Sequence, residues 1–325
     1  MSTNTIASVR GPLDLANVGA TLIHEHIFGL SPEIHWNWPD LPEKWDLERR
    51  ALEAAERLNE IKRLGIDTIV DLTVIGLGRC IPAIERVAAH TDINIVVSTG
   101  IYTYDRLPPY FGNKGPGSIF GGPDRMVEFF VRDITEGIGE TGVRAGMLKC
   151  AVDAAGITTD IDRLLTAVSE TQHRTGVPIT VHTDSEAKSG TEAWRALSRL
   201  GVAPDRVVIG HAGDSTDLDY LSRLADRGLW LGMDRFGIET TSFEDRVATV
   251  AALCRRGYTE RMVLSHDAYS FNDRVDPVVV SKAHPNYHYA HISRDVLPEL
   301  RRRGVSGSEI ATMMVENPRR ILEVQ

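Results

Sequence analysis

The sequence predicts an α/β protein, a single (β/α)8 TIM barrel over residues 1–325. Three observations lead there. Short apolar runs recur eight times, amphipathic stretches separate them, and histidines and acids stand where the runs end. An open doubly wound sheet would alternate in the same way. A count of eight, with polar residues gathered at strand C-terminal ends, favours the closed ring, whose active site lies on that face.

The eight runs, in order, are Thr21–His26, Thr68–Ile75, Ile93–Gly100, Ala145–Cys150, Pro178–Thr183, Arg206–Gly213, Leu229–Asp234 and Met262–Asp267. Each is rich in Val, Ile, Leu or Thr and short enough for a strand. Their near-continuous hydrophobicity suits parallel strands covered on both faces. Between them, Leu47–Leu64 places Leu47, Ala51, Ala54, Leu58, Ile61 and Leu64 on one helical stripe. Asp160–Thr175, Gly190–Leu200, Asp217–Arg227 and Phe243–Arg256 read as helices too. Gly65, Gly176, Gly201, Gly228 and Gly257 follow these five, as glycine follows many helix ends. Two connections are long. Residues 101–123 are rich in glycine, proline and aromatics, and 268–290 are rich in aromatics and histidine. Both emerge on the catalytic face of a barrel and are expected to face substrate.

Composition excludes several classes. The chain has 36 Lys+Arg against 45 Asp+Glu, a net charge of −9, which is the wrong sign for a nucleic-acid binder. With 42% hydrophobic and 25% charged residues it is not a disordered chain. Cys80, Cys150 and Cys254 form no disulfide framework and fit a reducing compartment. There is no secretory pattern at the N-terminus and no run of ~18 apolar residues, so the expectation is a soluble cytoplasmic protein with no membrane partner.

His24-Glu25-His26 ends the first strand. Residues two apart on a strand share a face, so both imidazoles aim together and Glu25 points away. Two neutral imidazoles can hold a divalent metal. His182 closes the fifth strand, His211 the sixth and Asp267 the eighth, while Lys149 ends the fourth in an apolar setting. A buried lysine must lose its charge or find a partner. It can be carboxylated by carbon dioxide, or it can form a buried ion pair with a carboxylate. His90, His173 and His266 read as structural or solvated, with His266 turned away from Asp267. Cys150 reads as packing.

A histidine pair on strand one, lysine on four, histidines on five and six and aspartate on eight resembles the amidohydrolase-superfamily pattern. Val9-Arg-Gly-Pro-Leu-Asp14, Leu22-Ile-His-Glu-His26, Ser98-Thr-Gly-Ile-Tyr102, Gly232-Met-Asp-Arg-Phe-Gly237, Leu264-Ser-His-Asp267 and Glu316-Asn-Pro-Arg-Arg320 narrow it. From about Val9 to the C-terminus the chain resembles the phosphotriesterase family, above all its phosphotriesterase-like lactonase branch.

The resemblance implies two divalent transition metal ions, zinc foremost, with cobalt, iron or manganese also compatible with the ligands. His24, His26 and Asp267 would hold the buried ion, and His182 and His211 the exposed one. Carboxylated Lys149 and a hydroxide would bridge them. Asp267 would move a proton. Tyr102 and Arg235 match residues that line the lactonase site. From the residues alone, Tyr102 could be loop core and Arg235 could pair with Asp234 or Glu239. Tyr269 and Phe271 are pocket candidates by position.

The implied activity is hydrolysis of N-acyl-homoserine lactones, with weak phosphotriesterase activity beside it. A phosphotriesterase or a carboxylester or cyclic-amide hydrolase on the same metals is the alternative. A non-catalytic metal- or ligand-binding barrel is the reading of a different class. Trp36, Trp38, Pro39, Pro42 and Trp45 suggest an apolar interface, and the resemblance implies a homodimer.

Overall fold

Nine parallel strand segments form one continuous sheet in the computed structural model, which describes residues 4–38, 40–41 and 45–324. Before them comes an antiparallel hairpin, β1 (Thr5–Ser8) and β2 (Gly11–Asp14). The sheet follows as β3 (Thr21–Gly29), β4 (Thr68–Asp71), β5 (Asn94–Gly100), β6 (Met147–Val152) and β7 (Ile179–Thr183). It continues as β8 (Val207–Gly210), β9 (Trp230–Met233), β10 (Met262–Leu264) and β11 (Tyr269–Asn272). Each of β3 to β10 falls within or overlaps one of the eight apolar runs.

The ring closes through an interrupted last strand. β10 pairs with β9, and β11 pairs with β3 in the register Tyr269 with His26. Between them the Asp267 amide donates to the His24 carbonyl at 3.0 Å, and the Ala268 carbonyl accepts from the His26 amide at 2.9 Å. β10 and β11 are thus two halves of the eighth barrel strand, and the fold is a (β/α)8 TIM barrel. The segment 268–290, expected as a loop, begins with β11 and contains the helix Pro277–Ala283.

The five expected helices are present as Leu47–Arg63, Thr159–Thr175, Ser189–Arg199, Leu218–Ala225 and Phe243–Arg255. Four begin with side-chain caps, from Asp46, Thr158, Asp217 and Ser242. All five glycines that follow them have positive φ. Ile81–Ala88 and Met126–Thr135 follow β4 and β5, and Leu297–Arg302 follows the last barrel strand. No described helix is long and apolar enough to cross a membrane.

Two apolar layers result. Leu22, Phe28, Leu148, Cys150 and Ile209 face outward under the helices. Ile23, Val70, Val96, Met147, Trp230 and Val263 fill the ring itself, closed below by Ile6, Leu15, Val18, Ile321 and Leu322. A register shift between Leu22 and Glu25 in β3 lets both Ile23 and His24 face the axis. The polar site sits above this plug, at the strands' C-terminal ends.

Candidate metal centre

His24, His26, Lys149, His182, His211 and Asp267 converge at the top of the ring, all buried. One Asp267 oxygen lies 3.3 Å from His24 Nε2 and 3.1 Å from His26 Nε2, while its other oxygen lies 3.9 Å from His211 Nε2. Lys149 Nζ is 3.0 Å from His24 Nε2. His211 Nε2 and His182 Nδ1 face each other at 2.7 Å. The ligand atoms of His24, His26 and Asp267 lie within 4.8 Å of one another, as metal donors must.

Each imidazole is held from behind. His24 Nδ1 meets Asp234 Oδ2 at 2.7 Å, and His211 Nδ1 meets Asp234 Oδ1 at 2.8 Å. His26 Nδ1 meets the Thr73 hydroxyl at 2.8 Å, and His182 Nε2 meets Asp153 at 2.7 Å. An outer nitrogen that donates to an acceptor leaves the inner one with a free lone pair. Burial pushes the His24 imidazole down to about 4 and lowers His182 and His211 as well. Burial thus favours the neutral form of these three rings, the form that binds metal. Two facing lone pairs, on His182 Nδ1 and His211 Nε2, are a place for a cation.

His24, His211 and Asp234 also cluster within 4.8 Å. Asp234 is already engaged by both imidazoles and by the His211 amide at 2.8 Å, so it orients ligands instead of binding metal.

Burial raises the Asp267 carboxyl, but His24, His211, His26 and Arg235 outweigh it and hold it well below the usual carboxylate range. Burial pulls the Lys149 amine down to about 8. Its polar neighbour is His24, and among the described residues it forms no ion pair with a carboxylate. The donor set of imidazoles, a carboxylate and an amine that holds its proton less tightly than usual fits a pair of divalent ions.

Three residues of this site have left-handed backbones: His211 (φ 63°), Arg235 (φ 63°) and Asp267 (φ 58°). Among the described residues only Lys188 joins them outside glycine. Such conformations concentrate at functional sites, where surrounding contacts hold them.

Arg235 reaches Asp267 Oδ2 at 3.1 Å and Asp214 at 2.9 Å. Neither Asp234 nor Glu239, the partners considered from sequence, is its partner. Asp214 in turn pairs at 2.7 Å with Arg246, a fully buried guanidinium that also binds the Gly213 carbonyl at 2.8 Å. Tyr102 stands edge-on to His182, ring centroids 5.1 Å apart, and donates to the Tyr104 hydroxyl at 2.9 Å. Burial raises its phenol, so it remains a hydrogen-bond donor. Tyr269 stacks on His26 at 4.4 Å. Phe271 lies elsewhere, 5.8 Å from Trp45 and under the Arg50 guanidinium.

The sequence reading did not name Thr73, Asp153, Asp214 or Arg246 as part of this network. Asp214 stands three residues after His211, and Asp153 four after Lys149, so proximity to a ligand was the available signal. His266, read as structural or solvated, is structural: it is bonded through Nδ1 to Glu25 at 2.7 Å.

Residues 4–322 match the model of the phosphotriesterase family. The chain is 51% identical over 320 residues to the "Phosphotriesterase homology protein" of Mycobacterium tuberculosis, covering 98% of this chain and 97% of that one. It is 37% identical over 314 residues to the "Aryldialkylphosphatase" of Saccharolobus solfataricus, covering 95% and 96%. The solved structure of the phosphotriesterase from Mycobacterium tuberculosis superimposes with a TM-score of 0.96 at 49% identity, over 99% of both chains. With this barrel and these metal-capable residues, the chain belongs to the phosphotriesterase family, a family of binuclear metal-dependent hydrolases.

Proposed function

We propose that the chain is a lactonase that opens the ring of N-acyl-homoserine lactones, with weak phosphotriesterase activity beside it. The supporting observation is the pair that flanks the metal cluster: Tyr102 against His182, and Arg235 on Asp267. In this reading His24, His26 and Asp267 hold the buried ion, His182 and His211 hold the exposed one, and Lys149 bridges them as a carbamate. The lysine reaches that form when its neutral amine adds to carbon dioxide and loses one proton. Two divalent ions so held, zinc foremost, would supply an activated water and polarise the lactone carbonyl.

The protein's own groups do the rest. Asp267 Oδ2 takes up the proton of the attacking water and delivers it to the leaving alkoxide. Arg235 fixes the direction of that carboxylate, with Asp214 behind it. The Tyr102 phenol turns its one proton from the Tyr104 hydroxyl to the ester ring oxygen when substrate binds. Tyr269 forms a wall against His26. Phosphotriesters enter weakly because a tetrahedral phosphoryl centre resembles the state this site stabilises.

The test is ring opening by metal-loaded and chelator-treated protein, with paraoxon alongside. Metal-dependent lactone opening that outpaces triester hydrolysis is expected. Triester hydrolysis without lactone opening would instead place the chain with the phosphotriesterases proper.

The same reading carries one domain over residues 1–325, a cytoplasmic location and a homodimer. Trp36 (80% exposed) and Trp38 (57%) fit an interface, while Trp45 is tucked against Phe28. Pro39 and Pro42 lie outside the described residues. Light scattering that shows only a monomer would remove the dimer.

A further inference from the structure

We propose that Glu25 is a positioning residue for Asp267, acting through the backbone on both sides of it. Glu25 lies between the two histidines of β3, is fully buried, and turns away from the metal cluster. Its Oε1 accepts from the His266 amide at 2.9 Å, and its Oε2 accepts from the Ala268 amide at 3.0 Å. One carboxylate therefore holds the backbone amides of the two residues that flank Asp267. His266 adds a third bond. Its Nε2 accepts from the Ile292 amide at 2.9 Å, so the ring proton sits on Nδ1 and is donated to Glu25 Oε1 at 2.7 Å.

Asp267 itself needs this hold. Its backbone is left-handed at φ 58°, a conformation that relaxes unless neighbours determine it. Two further bonds belong to the same cage: its amide donates to the His24 carbonyl, and its carbonyl accepts from the Tyr287 hydroxyl. Without the acceptors of Glu25 the segment can untwist, and rotation carries the carboxylate away from His24 and His26. The residue between two metal-capable histidines thus places the ligand that completes their set. This inference rests on the proposed assignment of His24, His26 and Asp267 to one ion.

A glutamine at this position keeps one acceptor oxygen but sets an NH2 against an amide N–H. Zinc-loaded wild type and Glu25→Gln are dialysed against graded dipicolinate, and the zinc that stays bound is counted by mass spectrometry. Half of the zinc in Glu25→Gln is expected to leave at a roughly 10–100-fold lower chelator concentration than in wild type. The other half should leave where it does in wild type. Release of both halves at the wild-type concentration overturns the proposal. So does an equal shift of both halves, which signals general loosening. If Glu25→Gln fails to fold, Glu25→Asp keeps the charge but is too short for both amides, and it must show the same one-sided shift, smaller in size. Two zinc ions in a wild type that opens no lactone would remove the lactonase reading and leave this one standing. A wild type that binds no zinc overturns both.

Discussion

An amine sealed among imidazoles has two stable fates: it loses its proton or it becomes something else. Lys149 is in that position, with His24 as its polar neighbour. Lys149→Ala is expected to lose bound zinc and lactonase rate together, in metal analysis and in turnover. Full activity in that variant would end the lysine-bridged model. Asp234 is the second residue to test. Among the described residues it alone orients one imidazole from each proposed ion site, His24 and His211. Asp234→Asn is expected to weaken both ions by roughly 10–100-fold in chelator competition, since loss of an outer partner typically costs that much. An effect confined to one ion would contradict the bridging geometry. At this scale the candidate residues that converge were legible, because HxH on one strand and lone acids or bases at other strand ends are local patterns. Their outer partners were not. Thr73, Asp153 and Asp234 come from other strands or loops, and only the closed ring brings them behind the imidazoles.

Elements were legible where burial imposes a long pattern. The eight apolar runs and five striped helices stand out for that reason. The hairpin β1–β2 is only four residues on each side and was missed. β11 was hidden in a segment whose aromatics and turn formers read as loop. The helices Leu297–Arg302 and Asn317–Leu322 both carry Pro near their starts, which blurs the periodic signal. Two predictions belong here. Gly100 ends β5 at φ 134°, and a Cβ there would stand 1.9 Å from the Lys149 carbonyl oxygen. Gly100→Ala should therefore displace β6 at Lys149, which metal analysis reads as lost zinc. Asp217 caps the helix Leu218–Ala225, and Lys188, with the Tyr220 and Asp219 amides, draws its carboxyl down to about 2. A folded-state value below the unfolded one stabilises above about pH 4. That contribution fades as pH falls through about 2. Asp217→Ala should cost about 1 kcal/mol of cap stability at pH 7 in denaturant melts. The gap from wild type should narrow in acid. A gap that persists below pH 2 would assign the loss to packing.

The whole molecule joins a stable ring to an optional guest. An ion at 100 times its Kd adds about 2.7 kcal/mol by binding only the folded state. Removing two such ions with chelator should lower the melting temperature by roughly 5–10 °C while the far-ultraviolet spectrum is retained. Collapse of the spectrum at room temperature would instead make the ions part of the fold. The apolar plug argues for retention, because it lies beneath the candidate metal centre and shares no residue with it. That plug also brings an early and a late segment of the chain together. Leu15 and Val18 meet Ile321 and Leu322 under the ring, and Arg206 ties down the Glu323 carbonyl at 2.6 Å. The order in which the chain visits the ring is thus separable from the ring itself. A flexible linker of roughly ten residues, spanning about 16–19 Å, is expected to join residue 324 to residue 4. New ends can then be cut at the exposed Gly139–Glu140 turn. Such a circular permutant should keep the whole upper face untouched, and tethers placed at residues 4 and 324 should leave that face open to solution.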